Sequence, residues 1–228
     1  MIRGASVIGR EHQRLARNNQ DAWACGEHRG ARAIVVTDGC SSEKCSEVGA
    51  QLASRWLAHW VAVHAADAVL DEEFAHRATR AMTAWLHRLA SSFEGDLIEA
   101  TQRYLLFTFL CAVTREGRSL VFGIGDGAVL IDDSVLRLDS GPDNAPNYIA
   151  YRLLNSAQSG GPEAQVHFIG VASRLAVMTD GLEANASQVP ELLANLGVNP
   201  LGFQRRLNVF SETERLGDDA TIAAMVEA

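Results

Sequence analysis

Acidic residues stand repeatedly where apolar, strand-like segments of this 228-residue chain end or begin. Three of them are followed by glycine, in AIVVTDG, VFGIGDG and LAVMTDG, and a fourth opens the segment DDATIAAM. A strand end holds a side chain in fixed geometry at the edge of a sheet, and a following glycine lets the backbone turn sharply or approach a ligand. The pattern therefore favours a fold in which strand ends meet, and its candidate site residues are Asp38, Asp126, Asp180 and Asp218.

Carboxylates that converge repel one another, so a cluster of them predicts a hard divalent cation such as Mg2+ or Mn2+. Two such ions ~4 Å apart can clamp a phosphoryl group and generate hydroxide from a bound water. The alternative is that each Asp-Gly is simply a hairpin turn, and Asp126, which lies between two glycines, fits that alternative best. The joint pattern of the four segments favours the metal site.

The composition restricts the class of protein. A hydrophobic fraction of 47% is typical of a globular protein, and the absence of a linker-like stretch near the middle predicts one domain over residues 1–228. A net charge of −8 disfavours nucleic acid or an anionic membrane as the main partner. The longest apolar run, Tyr104–Val113, is too short to span a bilayer and no signal peptide precedes it, so we expect a cytoplasmic protein.

Hydrophobic periodicity predicts grouped strands with two separate pairs of helices, which indicates α+β layers. The predicted strands are Ala5–Ile8, Ala22–Cys25, Ala31–Thr37, Tyr104–Thr114, Ser119–Gly123, Ala128–Ile131, Val135–Leu138, Val166–Ile169, Leu175–Thr179 and Thr221–Val226. The predicted helices are Ser46–Val63, Glu72–Leu89, Val189–Leu196 and Leu201–Ser211. Residues 139–163 are rich in Gly, Pro, Ser and Asn, and this composition predicts a long surface segment that could form a flap.

Six short segments occur in a diagnostic order: NNQD, VVTDGCSS, EVGA, GIGDG, MTDGLE and GDDAT. This ordered set resembles the type 2C metal-dependent protein phosphatases, in the compact single-domain form found in bacteria. The resemblance covers nearly the whole chain. It implies a four-layer αββα sandwich, in which two central and mainly antiparallel β-sheets are flanked by helix pairs and a metal cleft lies at one edge.

The resemblance also implies roles for individual residues, carried over by position. The implied metal ligands are Asp38, the carbonyl of Gly39, Asp180 and Asp218, with a third and weaker ion at Asp126. Asp38 would bridge two Mn2+ or Mg2+ ions, and Asp21 would orient a metal-bound water. Asp218 is preferred to Asp219 as the ligand because residues 218–221 align with the D-N-x-S/T ending of the family. Asp219 would then be a structural partner.

Departures from the family pattern concern the binding of phosphate. Many relatives carry an arginine where this chain has Ala16, and Arg14 and Arg17 are the neighbouring candidates to replace it. Gln20 stands where a glutamate is frequent, so one metal site loses a negative ligand. His12, at a spacing from NQD seen in one bacterial branch, is a candidate for a catalytic or phosphate-positioning role.

These observations predict a protein serine/threonine phosphatase that acts on phosphoproteins, with the substrates of a partner kinase in a signalling system as the expected targets. A hydroxide bridging the two ions would attack phosphorus directly, without a phosphoenzyme. Ala16 and Gln20 support an alternative, a catalytically weak pseudo-phosphatase that binds phosphopeptides or regulates a partner. A hydrolase of some other phosphomonoester would share the same metal site.

Overall fold

Two five-stranded antiparallel sheets form the centre of the molecule. The computed structural model describes residues 1–139, 147–154, 161–194, 196 and 199–226. The strands are β1 (Ile2–Val7), β2 (Ala22–His28), β3 (Ala31–Gly39), β4 (Phe107–Arg115), β5 (Arg118–Ile124), β6 (Gly127–Ile131), β7 (Ser134–Leu138), β8 (Gln165–Gly170), β9 (Arg174–Met178) and β10 (Ala220–Val226). Sheet A has the order β1-β10-β9-β6-β7, and sheet B has the order β2-β3-β4-β5-β8.

Helices cover the outer face of each sheet. They are α1 (Arg10–Arg14), α2 (Ser46–Ala65), α3 (Glu72–Ala90), α4 (Leu97–Tyr104), α5 (Tyr151–Leu154), α6 (Val189–Leu193) and α7 (Pro200–Glu214), with a 3-10 helix over Asp180–Gln188. Side chains of α2 and α3 share one buried cluster with sheet B, and side chains of α6 and α7 share another with sheet A. A third cluster fills the space between the sheets.

Strand β3 shows how the sequence produces these layers. Its run of apolar residues is buried on both faces, as expected for a strand in the interior of a sandwich. Val35 packs toward the helices, whereas Ile34 and Val36 pack toward sheet A, because successive side chains of a strand point to opposite faces. The predicted α+β sandwich of two antiparallel sheets between helices is therefore confirmed.

Some boundaries differ from the sequence prediction. The strand predicted to begin at Tyr104 begins at Phe107, because the preceding residues form α4. Asp96 caps that helix by accepting a hydrogen bond from the Glu99 amide at 2.8 Å, a local signal that the apolar run from Tyr104 obscured. Of the predicted flap, residues 140–146 and 155–160 lie outside the described residues, and α5 lies within the rest.

The layout brings particular strand ends to one edge of the sandwich. In sheet A, the C-terminal end of β9 lies beside the N-terminal ends of both β6 and β10. The C-terminal ends of β3 and β5 lie at the corresponding edge of sheet B, joined through β4. Among the described residues, every helix is too short or too polar to cross a bilayer.

Candidate metal centre

A small cavity of about 150 Å³ lies at this edge of the sandwich. Its walls are formed by Asp38, Gly39, Cys40, Ser41, Thr108, Asp126, Tyr148, Asp180 and Asp218. All five residues predicted as metal ligands are among them. Larger grooves exist, including one of about 500 Å³ between α6 and α7, but its lining offers two arginines and one glutamate in place of a carboxylate cluster.

Asp38 and Gly39 are the last two residues of β3 and still pair with β4. The Gly39 amide donates a hydrogen bond to the Gln20 carbonyl at 3.2 Å. A Cβ atom at Gly39 would lie 2.7 Å from that same carbonyl oxygen, so a side chain there would force the two segments apart. Glycine thus lets the loop that carries Gln20 lie directly against the strand that presents Asp38.

Asp126 connects the two sheets. It lies between β5 of sheet B and β6 of sheet A, and both flanking glycines have φ above +100°. Because β5 and β6 belong to different sheets, the hairpin-turn alternative is wrong for Asp126. It is also wrong for Asp38, inside a paired strand, and for Asp180, which opens a 3-10 helix.

The turn alternative does describe another acidic pair. Asp132 and Asp133 join β6 to β7, whose residues Ile131 and Ser134 face each other across the ladder. Asp132 adopts φ +53° and accepts hydrogen bonds from the backbone amides of Ser173 and Arg174. The sheet topology therefore distinguishes the two kinds of acidic residue. Asp132 and Asp133 lie in a turn within one sheet, whereas Asp126 lies between strands of different sheets and faces the cavity.

Burial is the main reason that the pKa values of the cavity carboxyls are raised. Burial and repulsion from four other aspartates hold the pKa of Asp38 well above its usual range. Burial, with repulsion from Asp126 and Asp218, raises the pKa of Asp180 to about 6. Burial also raises the pKa of Asp126 and of Asp218. The folded chain therefore gathers negative charge at a cost that a bound cation would offset.

Asp21 lies beneath the cavity and does not line it. It is 4% exposed, and its carboxylate accepts a hydrogen bond from the Thr179 hydroxyl at 2.7 Å. Burial is the largest cause of its raised pKa. Thr179 in turn accepts from the Thr221 amide at 3.0 Å, which ties Asp21 to the ends of β9 and β10. The sequence analysis singled out Asp21 but missed Thr179, which directly precedes Asp180.

Asp219 is buried beside Asp218 and faces away from the cavity. It accepts hydrogen bonds from the Gly9 amide at 2.7 Å and the Gln20 amide at 2.6 Å, and it lies 2.8 Å from Nδ1 of His12. Donor atoms of His12, Asp218 and Asp219 lie within 4.8 Å of one another, a spacing that a metal ion could use. However, three protein donors already occupy the Asp219 oxygens, so we interpret this group as structural.

The side chain of His12 therefore points from α1 into the core, where it is 5% exposed and in contact with Asp219. It is not among the residues that line the cavity. This placement favours a positioning role for His12, through the turn that carries Asp218. A direct catalytic role for His12 stays a prediction.

Arg17 lies at the rim of the cavity. Its Nη1 donates a hydrogen bond to the carbonyl of Ser41, a residue of the cavity wall. Gln20 supports the same loop through its side chain. Its Nε2 donates a hydrogen bond to the Ser46 hydroxyl at 2.8 Å, and that hydroxyl donates to the Cys40 carbonyl at 3.0 Å. Gln20 thus holds the loop that follows Gly39.

The residues present fit a divalent metal centre. Four carboxylates and a backbone carbonyl meet in one cavity, and no Lys, Arg or His side chain is among the described residues that line it. Repulsion from Asp180 helps to raise the pKa of Asp38, and a bound cation would relieve that repulsion. An all-oxygen set of this kind matches Mg2+ or Mn2+ better than a soft metal.

Comparison with known proteins agrees with this geometry. A sequence model of the family described as protein phosphatase 2C matches residues 8–221. The chain belongs to the protein phosphatase 2C family. The match includes all the aspartates of the cavity and both Asp21 and His12. No curated protein sequence matches the chain.

Solved structures share the protein phosphatase 2C fold seen here. The chain is similar to the serine/threonine phosphatase Stp1 from Staphylococcus aureus, with 14% identity, a TM-score of 0.67, and coverage of 100% of this chain and 94% of that one. It is similar to the S. agalactiae serine/threonine phosphatase, with 14% identity, a TM-score of 0.68, and coverage of 100% and 99%. RsbX, solved in complex with magnesium, matches with 13% identity, a TM-score of 0.56, and coverage of 98% and 94%.

Proposed function

We propose that this protein hydrolyses phosphoserine and phosphothreonine in phosphoproteins, with two divalent cations, Mn2+ or Mg2+, as cofactors. The observation that carries the proposal is the convergence of Asp38, Asp126, Asp180 and Asp218 on one cavity without a basic side chain among its described walls. The family match and the printed names of two similar structures, both serine/threonine phosphatases, support it. We propose a partner kinase as the source of the substrates.

The proposed ligands divide between the sheets. Asp38 and the Gly39 carbonyl come from sheet B, while Asp180 and Asp218 come from sheet A. This division supports the proposal that Asp38 would be shared by both ions. When bound, the ions supply an activated water for attack on phosphorus and neutralise charge on the phosphoryl group. Asp126 would hold a third ion more weakly.

The other chain residues orient the reactants. Asp21, held by the Thr179 hydroxyl beneath the cavity, is proposed to orient a metal-bound water. The cavity of about 150 Å³ is smaller than most pockets for whole organic ligands, so we propose that it takes the phosphoryl group while the peptide stays outside.

The decisive experiment is hydrolysis of a phosphoserine peptide by the purified protein. We expect phosphate release in Mn2+ or Mg2+, none after treatment with EDTA, and recovery when the cation is restored. Calorimetric titration of the metal-free protein should show at least two binding events, reduced in number when Asp180 is replaced by Asn. Ion binding without turnover would favour the pseudo-phosphatase alternative, and turnover of small phosphates alone would favour a different phosphomonoesterase.

Many relatives carry an arginine where this chain has Ala16, and we propose that Arg17 binds the phosphate in its place. A guanidinium has five N–H donors, so its bond to the Ser41 carbonyl leaves others for a phosphoryl oxygen. Arg17→Ala is expected to lower kcat/KM on a phosphopeptide about tenfold, since a hydrogen bond to a charged group contributes roughly 1.5–3 kcal/mol.

Arg14→Ala is the matched control for Arg17→Ala. Arg14 is exposed on α1 and lines a separate groove with Arg10 and Gly217. We expect its kcat/KM to stay within about twofold of the wild type. Equal losses in both variants would argue for a general effect of positive charge, and an unchanged Arg17→Ala would remove Arg17 from the site.

A further inference from the structure

Tyr148 is the one aromatic residue among the described residues of the cavity wall, and neither the sequence analysis nor the proposed metal chemistry assigns it a role. It lies between β7 and β8, far along the chain from every aspartate of the cavity except Asp126. Its ring is half-buried at the edge of the core that joins sheet B to α2 and α3. It also makes an edge-to-face contact with Tyr151, with ring centroids 5.5 Å apart.

The position of the ring is fixed by backbone as well as by packing. The Tyr148 carbonyl accepts a hydrogen bond from the Tyr151 amide at 3.0 Å, in the turn that leads into α5. At the other end of the side chain, the residue forms part of the cavity wall together with Cys40 and Asp38. A side chain fixed by its backbone and by the packing of its ring presents its hydroxyl in a defined direction.

The chemistry of the cavity calls for neutral donors. Four of the side chains that line it are carboxylates, which accept hydrogen bonds and would be engaged by cations, so the donors are the hydroxyls of Ser41, Thr108 and Tyr148 and the thiol of Cys40. A phosphoryl group carries oxygens that the cations do not all contact, and these oxygens need donors. A phenol has an ordinary pKa of about 10, so the Tyr148 hydroxyl keeps its proton at neutral pH and can donate.

We propose that the Tyr148 hydroxyl donates a hydrogen bond to the phosphoryl group of the bound substrate, so that Tyr148 is a substrate-binding residue. This inference rests on the proposed phosphatase function, which it deepens. A phosphoryl oxygen is charged, and a hydrogen bond from the hydroxyl to a charged acceptor is stronger than one to a neutral partner. Tyr148 would then complement Arg17, which contacts the Ser41 carbonyl in the cavity wall.

Tyr148→Phe removes the donor and keeps the ring, so it tests the hydroxyl and not the packing. In the Mn2+-loaded protein we expect the dissociation constant for inorganic phosphate, measured by calorimetry, to rise about tenfold. We expect KM for a phosphoserine peptide and for an aryl phosphate to rise by a similar factor, with kcat changed less than threefold. Unchanged phosphate affinity and KM would overturn the proposal.

Tyr151→Phe is the matched control, because Tyr151 belongs to the same ring pair but does not line the cavity. Its phosphate affinity should equal that of the wild type, and a loss as large as that of Tyr148→Phe would overturn the proposal. The direct phosphate measurement separates the two hypotheses. A wild type that binds phosphate through Tyr148 but hydrolyses no phosphopeptide would defeat the proposed function alone, whereas a wild type that binds no phosphate would overturn the role of Tyr148.

Discussion

Asp38→Asn is expected to lower kcat/KM for a phosphopeptide in Mn2+ by roughly 10³-fold or more, which corresponds to about 4 kcal/mol of transition-state stabilisation. Asp38 is the carboxylate with the most acidic neighbours, since Asp21, Asp126, Asp180 and Asp218 all act on it. Asparagine has nearly the same shape but no charge. The variant should therefore fold normally and lose the proposed bridging ligand of the two ions.

Thermal unfolding without metal distinguishes this loss from misfolding. Because repulsion among the aspartates destabilises the metal-free protein, Asp38→Asn should unfold at the same temperature as the wild type or higher. Added Mn2+ should raise the wild-type midpoint more than that of the variant. Asp67→Asn, at a side chain 81% exposed, is the control and should match the wild type in both assays. Full activity in Asp38→Asn, or a lower metal-free midpoint, would contradict the assignment.

Asp219→Ala is expected to destabilise the folded protein by about 4 kcal/mol, the largest stability effect we expect at the site. The substitution leaves the amides of Gly9 and Gln20 without their acceptor and His12 without its partner, all at a position 2% exposed. Relief of the repulsion between Asp219 and Asp21 offsets part of the loss. Urea unfolding of the metal-free protein measures the net effect.

The neighbouring Asp218→Ala provides the comparison. Asp218 is exposed to the cavity, and its one described hydrogen bond, from the Asp219 amide at 2.8 Å, is local. Its loss should change the free energy of unfolding by less than about 1 kcal/mol. Similar destabilisation in the two variants would show that Asp219 is not the structural member of the pair.

Local patterns made the cavity aspartates predictable from the sequence. An apolar strand followed by Asp-Gly is visible in one short segment, as at Asp38 and Asp180. The two-sheet sandwich was implied by the family resemblance, which rests on the order of such segments. The hydrogen bonds that support the cavity aspartates from the core could not be predicted from such local patterns. Thr179 and Asp21 are 158 residues apart, and His12 and Asp219 are 207 apart, so their contacts exist only once β1 has paired with β10.

Tyr148 and the short helices were missed for different physical reasons. Tyr148 belongs to a polar segment whose composition predicts irregular structure, and nothing adjacent to it in sequence indicates the cavity. Helix α1 has five residues and no side-chain cap, so it lacks both the periodicity and the terminal signals that mark longer helices. Its position depends on backbone bonds to Leu216 and Gly217, near the other end of the chain.

The division of the acidic cavity between two sheets links metal occupancy to the cohesion of the sandwich. Ions that contact β3 on one side and the ends of β9 and β10 on the other cannot bind fully to either sheet alone. By thermodynamic linkage, whatever free energy the ions gain from the assembled cavity is added to the free energy that keeps the sheets together. Depletion of the proposed cations would thus loosen the interface between β3 and β10 as well as stop the proposed catalysis. The availability of metal would then govern the lifetime of the protein along with its activity.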